Sequence, residues 1–333
     1  MINRIAIIIV STLLAYSCTS VKSKEVSISE RQILVNGKPY LIKGVCYTPI
    51  PKGSNILNYD GLTEDLALMV EAGINTIRIY KPIDNASLLD QIHAAGIKVI
   101  VGFGYNQDGF YDILSGSFID YVNNYKTHEA ILFWELGNEF NYHPEWFEGD
   151  MNKWYKALND AADIIHRNDS IHPVASAHGE LPKKNVLDLC PNIDIWGMNV
   201  YLWDNPEGIF KEWTALSDKQ MYLSEAGADS YMTATSHGYE KGRNQDAQAN
   251  ATKAILDDIF NATDVCSGVA IFAFVDEWWK AGDINSQDTG GWAPNSSAVP
   301  YDGTANEEYW GIVDIDRNKK KAFKVVKDRF TKP

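Results

Sequence analysis

From Gln32 onward the chain alternates short β-rich runs with amphipathic helical stretches, and no Pro/Gly/Ser-rich linker interrupts the alternation. That pattern calls for parallel strands joined by crossover helices, because each strand must be carried back across the sheet before the next begins. Strand candidates fall at residues 40–46, 76–80, 98–103, 131–136, 173–177, 193–200, 221–224 and 269–274. Helical patterns between them include 63–72, 86–95, 117–125, 152–167 and 246–260. Eight strand–helix units are what a closed barrel needs, and a doubly wound open sheet more often uses fewer. The expected fold class is therefore α/β, a (β/α)8 or TIM barrel, as one domain over residues 31–333. A chain of 333 residues with 45% hydrophobic content supplies the core for it.

Local signals agree with the alternation. Thr63, with Glu64 and Asp65, is expected to cap a helix, and Gly73 and Gly96 to punctuate helix ends. Ile33-Leu34-Val35-Asn36-Gly37-Lys38-Pro39-Tyr40 reads as a hairpin with an Asn-Gly turn, placed to plug the N-terminal mouth of the barrel. Residues 281–308 form a long polar stretch with Trp292 near its middle, expected to overhang the opposite mouth.

Residues 1–17 carry Arg4, an apolar run too short to span a membrane and small residues before Cys18, the three regions of an export signal. Leu14-Ala15-Tyr16-Ser17-Cys18 resembles a bacterial lipobox, with Ala15 where Leu is usual. The resemblance implies a lipidated Cys18, a tether through residues 18–30 and a cell-envelope lipoprotein, with ordinary secretion as the alternative. Membrane contact is then through the lipid anchor alone. Cys46, Cys190 and Cys266 show no metal-site spacing and are expected to be buried free thiols. A net charge of −14 argues against nucleic acid and anionic polymers as partners and suits a neutral ligand. Ten Trp in a chain with 12% aromatic residues point toward carbohydrate, whose C–H faces stack on aromatic rings. No phosphate-binding loop and no paired histidine spacing is present, so neither a cofactor nor a catalytic metal is expected, and the protein is expected to be monomeric.

The chemistry concentrates at two strand ends. Trp134-Glu135-Leu136-Gly137-Asn138-Glu139 closes the fourth strand candidate and Tyr222-Leu223-Ser224-Glu225-Ala226-Gly227 the seventh. Barrel active sites are built at C-terminal strand ends, and strands on opposite sides can bring Glu139 and Glu225 across a glycosidic bond. Retaining hydrolysis requires two carboxyl groups about 5 Å apart, one attacking the anomeric carbon and one protonating the leaving oxygen. Glu135 would sit deeper, as a structural ion pair, and Asp276 with Glu277 is a similar decoy.

These residues resemble glycoside hydrolase clan A. The resemblance, which covers residues 33–329, implies Glu139 as acid/base, Glu225 as nucleophile and Asn138 as a ligand of the sugar 2-hydroxyl. It implies that Arg78 keeps the nucleophile ionised, that Tyr201 hydrogen-bonds it, and that Trp278 or Trp279 is the aromatic platform for the reacting sugar. His178, Tyr105 and Asn106 are further candidates for sugar contact. Val35-Asn36-Gly37-Lys38-Pro39 and Lys43-Gly44-Val45 look like family 2; Thr76-Ile77-Arg78-Ile79-Tyr80 and Gly96-Ile97-Lys98-Val99 resemble families 17 and 72. Family 5 shares the same general pattern. The expected function is a retaining β-glycosidase on a neutral polysaccharide, β-1,3-glucan first. Alternatives are a glucanosyltransferase, a β-1,4-mannan, β-1,4-glucan or β-galactoside enzyme, and a non-catalytic carbohydrate-binding barrel.

Overall fold

A computed structural model describes residues 26–105, 111–201, 207–289 and 301–332. Cys18 and the export signal, Asn106 and Trp292 lie outside the described residues. Three short antiparallel strands come first: β1 (Val26–Ser29), β2 (Gln32–Val35) and β3 (Lys38–Pro39). Then β4 (Ile42–Cys46), β5 (Thr76–Ile79), β6 (Lys98–Phe103), β7 (Ile131–Asn138), β8 (Val174–Gly179), β9 (Ile195–Asn199) and β10 (Gln220–Ala226) follow, each succeeded by a helix. A two-stranded ribbon, β11 (Tyr231–Met232) with β12 (Gly242–Arg243), precedes the last barrel strand, β13 (Cys266–Ile271). The eight strands β4–β10 and β13 pair in parallel and close into a barrel in the order β10-β13-β4-β5-β6-β7-β8-β9. The helices are α1 (Leu62–Glu71), α2 (Ala86–Ala94), α3 (Phe118–Tyr125), α4 (Met151–Asn168), α5 (Lys184–Leu189), α6 (Glu207–Leu216), α7 (Gln245–Asn261) and α8 (Lys321–Phe330). Among the described residues no helix is long and apolar enough to cross a membrane.

Strand alternation separates two cores. Ile77, Ile79, Val99, Val101, Trp134 and Met198 point outward and pack with helix residues such as Met69, Leu89 and Ile165. Ile42, Ile100, Phe133, Ala175, Ile195 and Tyr222 point inward, where Val26 and Ile33 of the N-terminal sheet join them in one buried cluster. The hairpin thus plugs the N-terminal mouth. Its turn has left-handed Asn36 (φ 51°) and Gly37 (φ 73°), the conformation that Asn-Gly accepts at least cost.

Two expectations are corrected. The tether reaches less far than residue 30, since Val26–Ser29 pairs with Gln32–Val35 and buries Val26. Thr63 caps nothing: α1 begins at Leu62, its N-cap is Gly61, and no side chain caps it. Asp65 instead is buried, accepting from Tyr47 Oη (2.8 Å) and from Arg317 Nε (2.9 Å) and Nη2 (3.1 Å), which pins the C-terminal segment to the first helix. Gly73 and Gly96 do follow helix ends, with φ of 75° and 76°. Cys46, Cys190 and Cys266 are free and buried.

Candidate active site at the C-terminal mouth

At the opposite mouth the regular alternation breaks twice. In β7, Phe133 and Glu135 face the barrel axis, and the pairing with β8 then shifts between Glu135 and Asn138. The extra residue is Gly137, at φ 74°, where a Cβ would lie 2.6 Å from Trp154 Cζ2; only glycine fits. This bulge turns Asn138 back toward the axis, and Glu139, itself left-handed at φ 55°, follows at the rim. In β10, Tyr222 and Ser224 face inward, and the pairing with β9 shifts between Leu223 and Glu225. Consecutive Ser224 and Glu225 therefore both reach the interior, Ser224 Oγ donating to Asn199 Oδ1 at 2.6 Å.

The bulges deliver Glu225 into a dense set of donors. Arg78 Nη1 donates to its Oε1 at 2.8 Å, Tyr80 Oη to the same oxygen at 2.6 Å and Tyr201 Oη to Oε2 at 2.5 Å. Burial raises both tyrosine hydroxyls well above their ordinary range, so they remain donors at neutral pH. Arg78 is fully buried beneath the cleft; its Nε donates to Glu135 at 2.7 Å and its Nη2 to Asn138 Oδ1 at 2.7 Å. Glu135, which also accepts from Tyr222 Oη, is thus a structural anion below the site. Asn199 Nδ2 completes the layer, donating to Asn138 Oδ1 at 3.1 Å.

Glu139 has a different environment. Burial first, and then the negative charge of Glu225, push its carboxyl up to about 7, against the opposing effects of Asn199, Arg78 and Lys280. One carboxyl is thus ringed by an arginine and two hydroxyls, and its neighbour holds its proton toward neutrality. That division is the one double-displacement chemistry uses.

Both carboxyls line one open cleft of about 1530 Å³, walled by the loops after most barrel strands. Asn138 and Tyr201 line it as well, and so does Trp279, not Trp278. The two tryptophans diverge because Trp278–Lys280 is a 3₁₀ turn, in which adjacent side chains point about a third of a turn apart. Trp278 packs against the core instead, with Lys52 Nζ 4.5 Å above its ring.

His178 and Tyr105 do not line the cleft. Ala175 faces inward on β8, so His178 points outward toward α4; its Nδ1 lies 2.8 Å from the Gly179 carbonyl and its Nε2 3.4 Å from Tyr155 Oη. Tyr105 packs against Phe147 and Trp154. Asp276 is held by Lys320 (2.7 Å) and the Gly311 amide (2.9 Å), a structural role, whereas Glu277 reaches the cleft.

Tyr80, Phe272, Lys280, Glu307 and Trp310 line the cleft without having been anticipated. Tyr80 was within reach of the sequence, two positions after Arg78 and just past the end of β5, where continued alternation keeps the two on one side. Among the described residues no group of His, Cys, Asp and Glu side chains could hold a metal ion.

Residues 26–332 match the family described as Glycosyl hydrolases family 2, TIM barrel domain. The chain is 22% identical over 289 residues to "Probable beta-glucosidase btgE" of Emericella nidulans, covering 81% of this chain and 46% of that protein. It is 27% identical over 164 residues to "Beta-galactosidase large subunit" of Latilactobacillus sakei, covering 43% and 26%. Among solved structures, a GH2 β-galacturonidase from Eisenbergiella tayi superposes with a TM-score of 0.69 at 22% identity, over 92% of this chain and 53% of that one. A Bacteroides uniformis β-glucuronidase gives 0.71 at 19% identity, over 91% and 36%. The chain therefore spans half or less of most of these proteins, and their common ground with it is the barrel. With the matched region running from the plug to the last helix, the chain belongs to the glycosyl hydrolase family 2 TIM-barrel family.

Proposed function

We propose that the protein is a retaining β-glycosidase, with Glu225 as nucleophile and Glu139 as acid/base. The observation that carries the reading is the unequal treatment of two carboxyls in one cleft: three donors hold Glu225, and burial beside it pushes Glu139 up to about 7. In the first step a Glu225 oxygen attacks the anomeric carbon while the Glu139 proton passes to the glycosidic oxygen, and the bond to the leaving group breaks. A glycosyl ester on Glu225 results. Glu139, now a carboxylate, takes a proton from water, whose oxygen displaces Glu225 and regenerates both groups with the anomeric configuration retained. To Asn138, whose Oδ1 accepts from Arg78 and Asn199, we assign the hydrogen bond to the sugar beside the reacting carbon.

The substrate we propose is a neutral β-linked oligosaccharide or polysaccharide. A cleft of about 1530 Å³ exceeds the range for one small ligand and suits several sugar rings. Laminarin, a β-1,3-glucan, heads the panel because of the resemblance at residues 76–80; mannan, cellulose oligomers and β-galactosides follow. We also propose export and anchoring through Cys18, so that Cys18→Ala shifts the protein from the detergent phase to the aqueous phase. The test of the chemistry is Glu225→Ala: hydrolysis should be lost, and added azide should restore turnover as a glycosyl azide of inverted configuration. Undiminished hydrolysis by this variant would contradict the assignment.

A further inference from the structure

Lys280 is a partly buried cation lining the cleft; Lys81, the other lysine among the described lining residues, is exposed. Lys280 Nζ lies 2.9 Å from Glu307 and 3.3 Å from Glu277, and 4.4 Å from the centre of the Phe272 ring. Burial opposes its charge, but Glu277 and Glu307 outweigh burial and keep the ammonium protonated. Its positive charge is thus already answered by two carboxylates, with Glu225 acting on it as a third.

Around this ion cluster two buried indole N–H groups, Trp279 Nε1 and Trp310 Nε1, have no hydrogen-bond partner, and Glu277 Oε2 faces the Lys280 ammonium at 3.3 Å. All three residues line the cleft. Buried polar groups are nearly always satisfied, so two free indole donors on one cavity, beside carboxylates able to accept further hydrogen bonds, mark where a ligand's own acceptors and donors belong. The set matches hydroxyl groups, which both donate and accept. It does not match a carboxylate, which could use the indoles but would meet Glu277, Glu307 and Glu225 with Lys280 already paired to the first two.

We infer that the wall formed by Glu277, Trp279, Lys280 and Trp310 binds the hydroxyls of a neutral sugar and rejects uronic acids. This sets the chain apart from the β-galacturonidase and β-glucuronidases whose barrels it superposes on. The inference rests on the glycosidase reading and names which glycosides that site takes.

The test compares kcat/KM for 4-nitrophenyl β-glucoside and β-galactoside with that for the matching β-glucuronide and β-galacturonide, alongside calorimetric binding of the free neutral sugars and uronates. The neutral substrates should be favoured at least about a hundredfold, the scale of an unpaired like-charge encounter. Glu307→Gln, which removes one of the carboxylates answering Lys280, should narrow that preference about tenfold by raising uronide turnover. Uronides turned over or bound as well as neutral sugars by the unaltered protein would overturn the inference and leave the glycosidase reading standing. Folded protein that binds neutral sugars in preference to uronates yet hydrolyses none of the four would do the reverse.

Discussion

The two mouths of this barrel are built on opposite principles. At the N-terminal mouth, apolar inward residues form one buried cluster, and a hairpin turned by Asn36-Gly37 lowers Val26 and Ile33 onto Ile42, Ile100 and Phe133. At the C-terminal mouth the alternation is broken by bulges in β7 and β10, and Glu139 and Gly137 are left-handed. Arg78, Glu135 and Glu225 are buried there in place of hydrocarbon. One mouth follows local rules and holds the barrel together. The other departs from them at the positions that bring two carboxyls into one cleft, and regular bonding around it supports the departure.

That contrast can be broken experimentally, beginning with the largest effect on turnover. Glu139→Gln should lower kcat/KM on sugar leaving groups by roughly 10²–10⁴, the usual contribution of a positioned acid/base. Since Glu139 acts first as an acid and its carboxyl is pushed up to about 7, unaltered protein should lose rate as pH rises through about 7. A pH–rate profile of the variant should lack that limb. Gly137→Ala tests the bulge itself: the added methyl meets Trp154, and the resulting displacement of Asn138 and Glu139 should cost about 10²-fold in kcat/KM. Activity within a few-fold of the parent would show that the bulge does not aim these residues.

Ile33→Ala addresses the other mouth. Removing a fully buried side chain from the plug should cost about 2–5 kcal/mol in denaturant unfolding. The kcat/KM of the folded variant should stay within about twofold, and a large loss would mean the two mouths are coupled. The smallest effect concerns Asp229, which accepts from the Tyr231 amide at 2.8 Å and the Asn306 amide at 3.2 Å and ties the rim loops together. Burial pushes its carboxyl up to about 8 from an ordinary 3.8. A carboxyl that is harder to ionise when folded makes the folded state bind more protons than the unfolded chain, so stability falls as pH rises from about 4 to about 8. In Asp229→Asn, Tm should vary less across that window.

The same contrast explains what could be read from sequence. The strands and the hairpin plug were legible because local periodicity and turn chemistry dictate them, and Glu139 and Glu225 because they close β-rich runs. Tyr80 needed only the alternation from Arg78 to be found, and that alternation carried through β8 would have turned His178 away from the cleft. Lys280, Glu307, Phe272 and Trp310 were not legible, since their meeting depends on how the chain after β13 folds back over the rim. Choosing Trp279 over Trp278 depends on a single 3₁₀ turn.

The most direct measurement is to trap the enzyme with an activated 2-deoxy-2-fluoro-β-glycoside and map the labelled peptide by mass spectrometry. The account predicts one fluorosugar bound through an ester to Glu225, with none formed by Glu225→Gln. A label on Glu277 or another carboxylate, or turnover that inverts the anomeric centre with no ester at all, would contradict it.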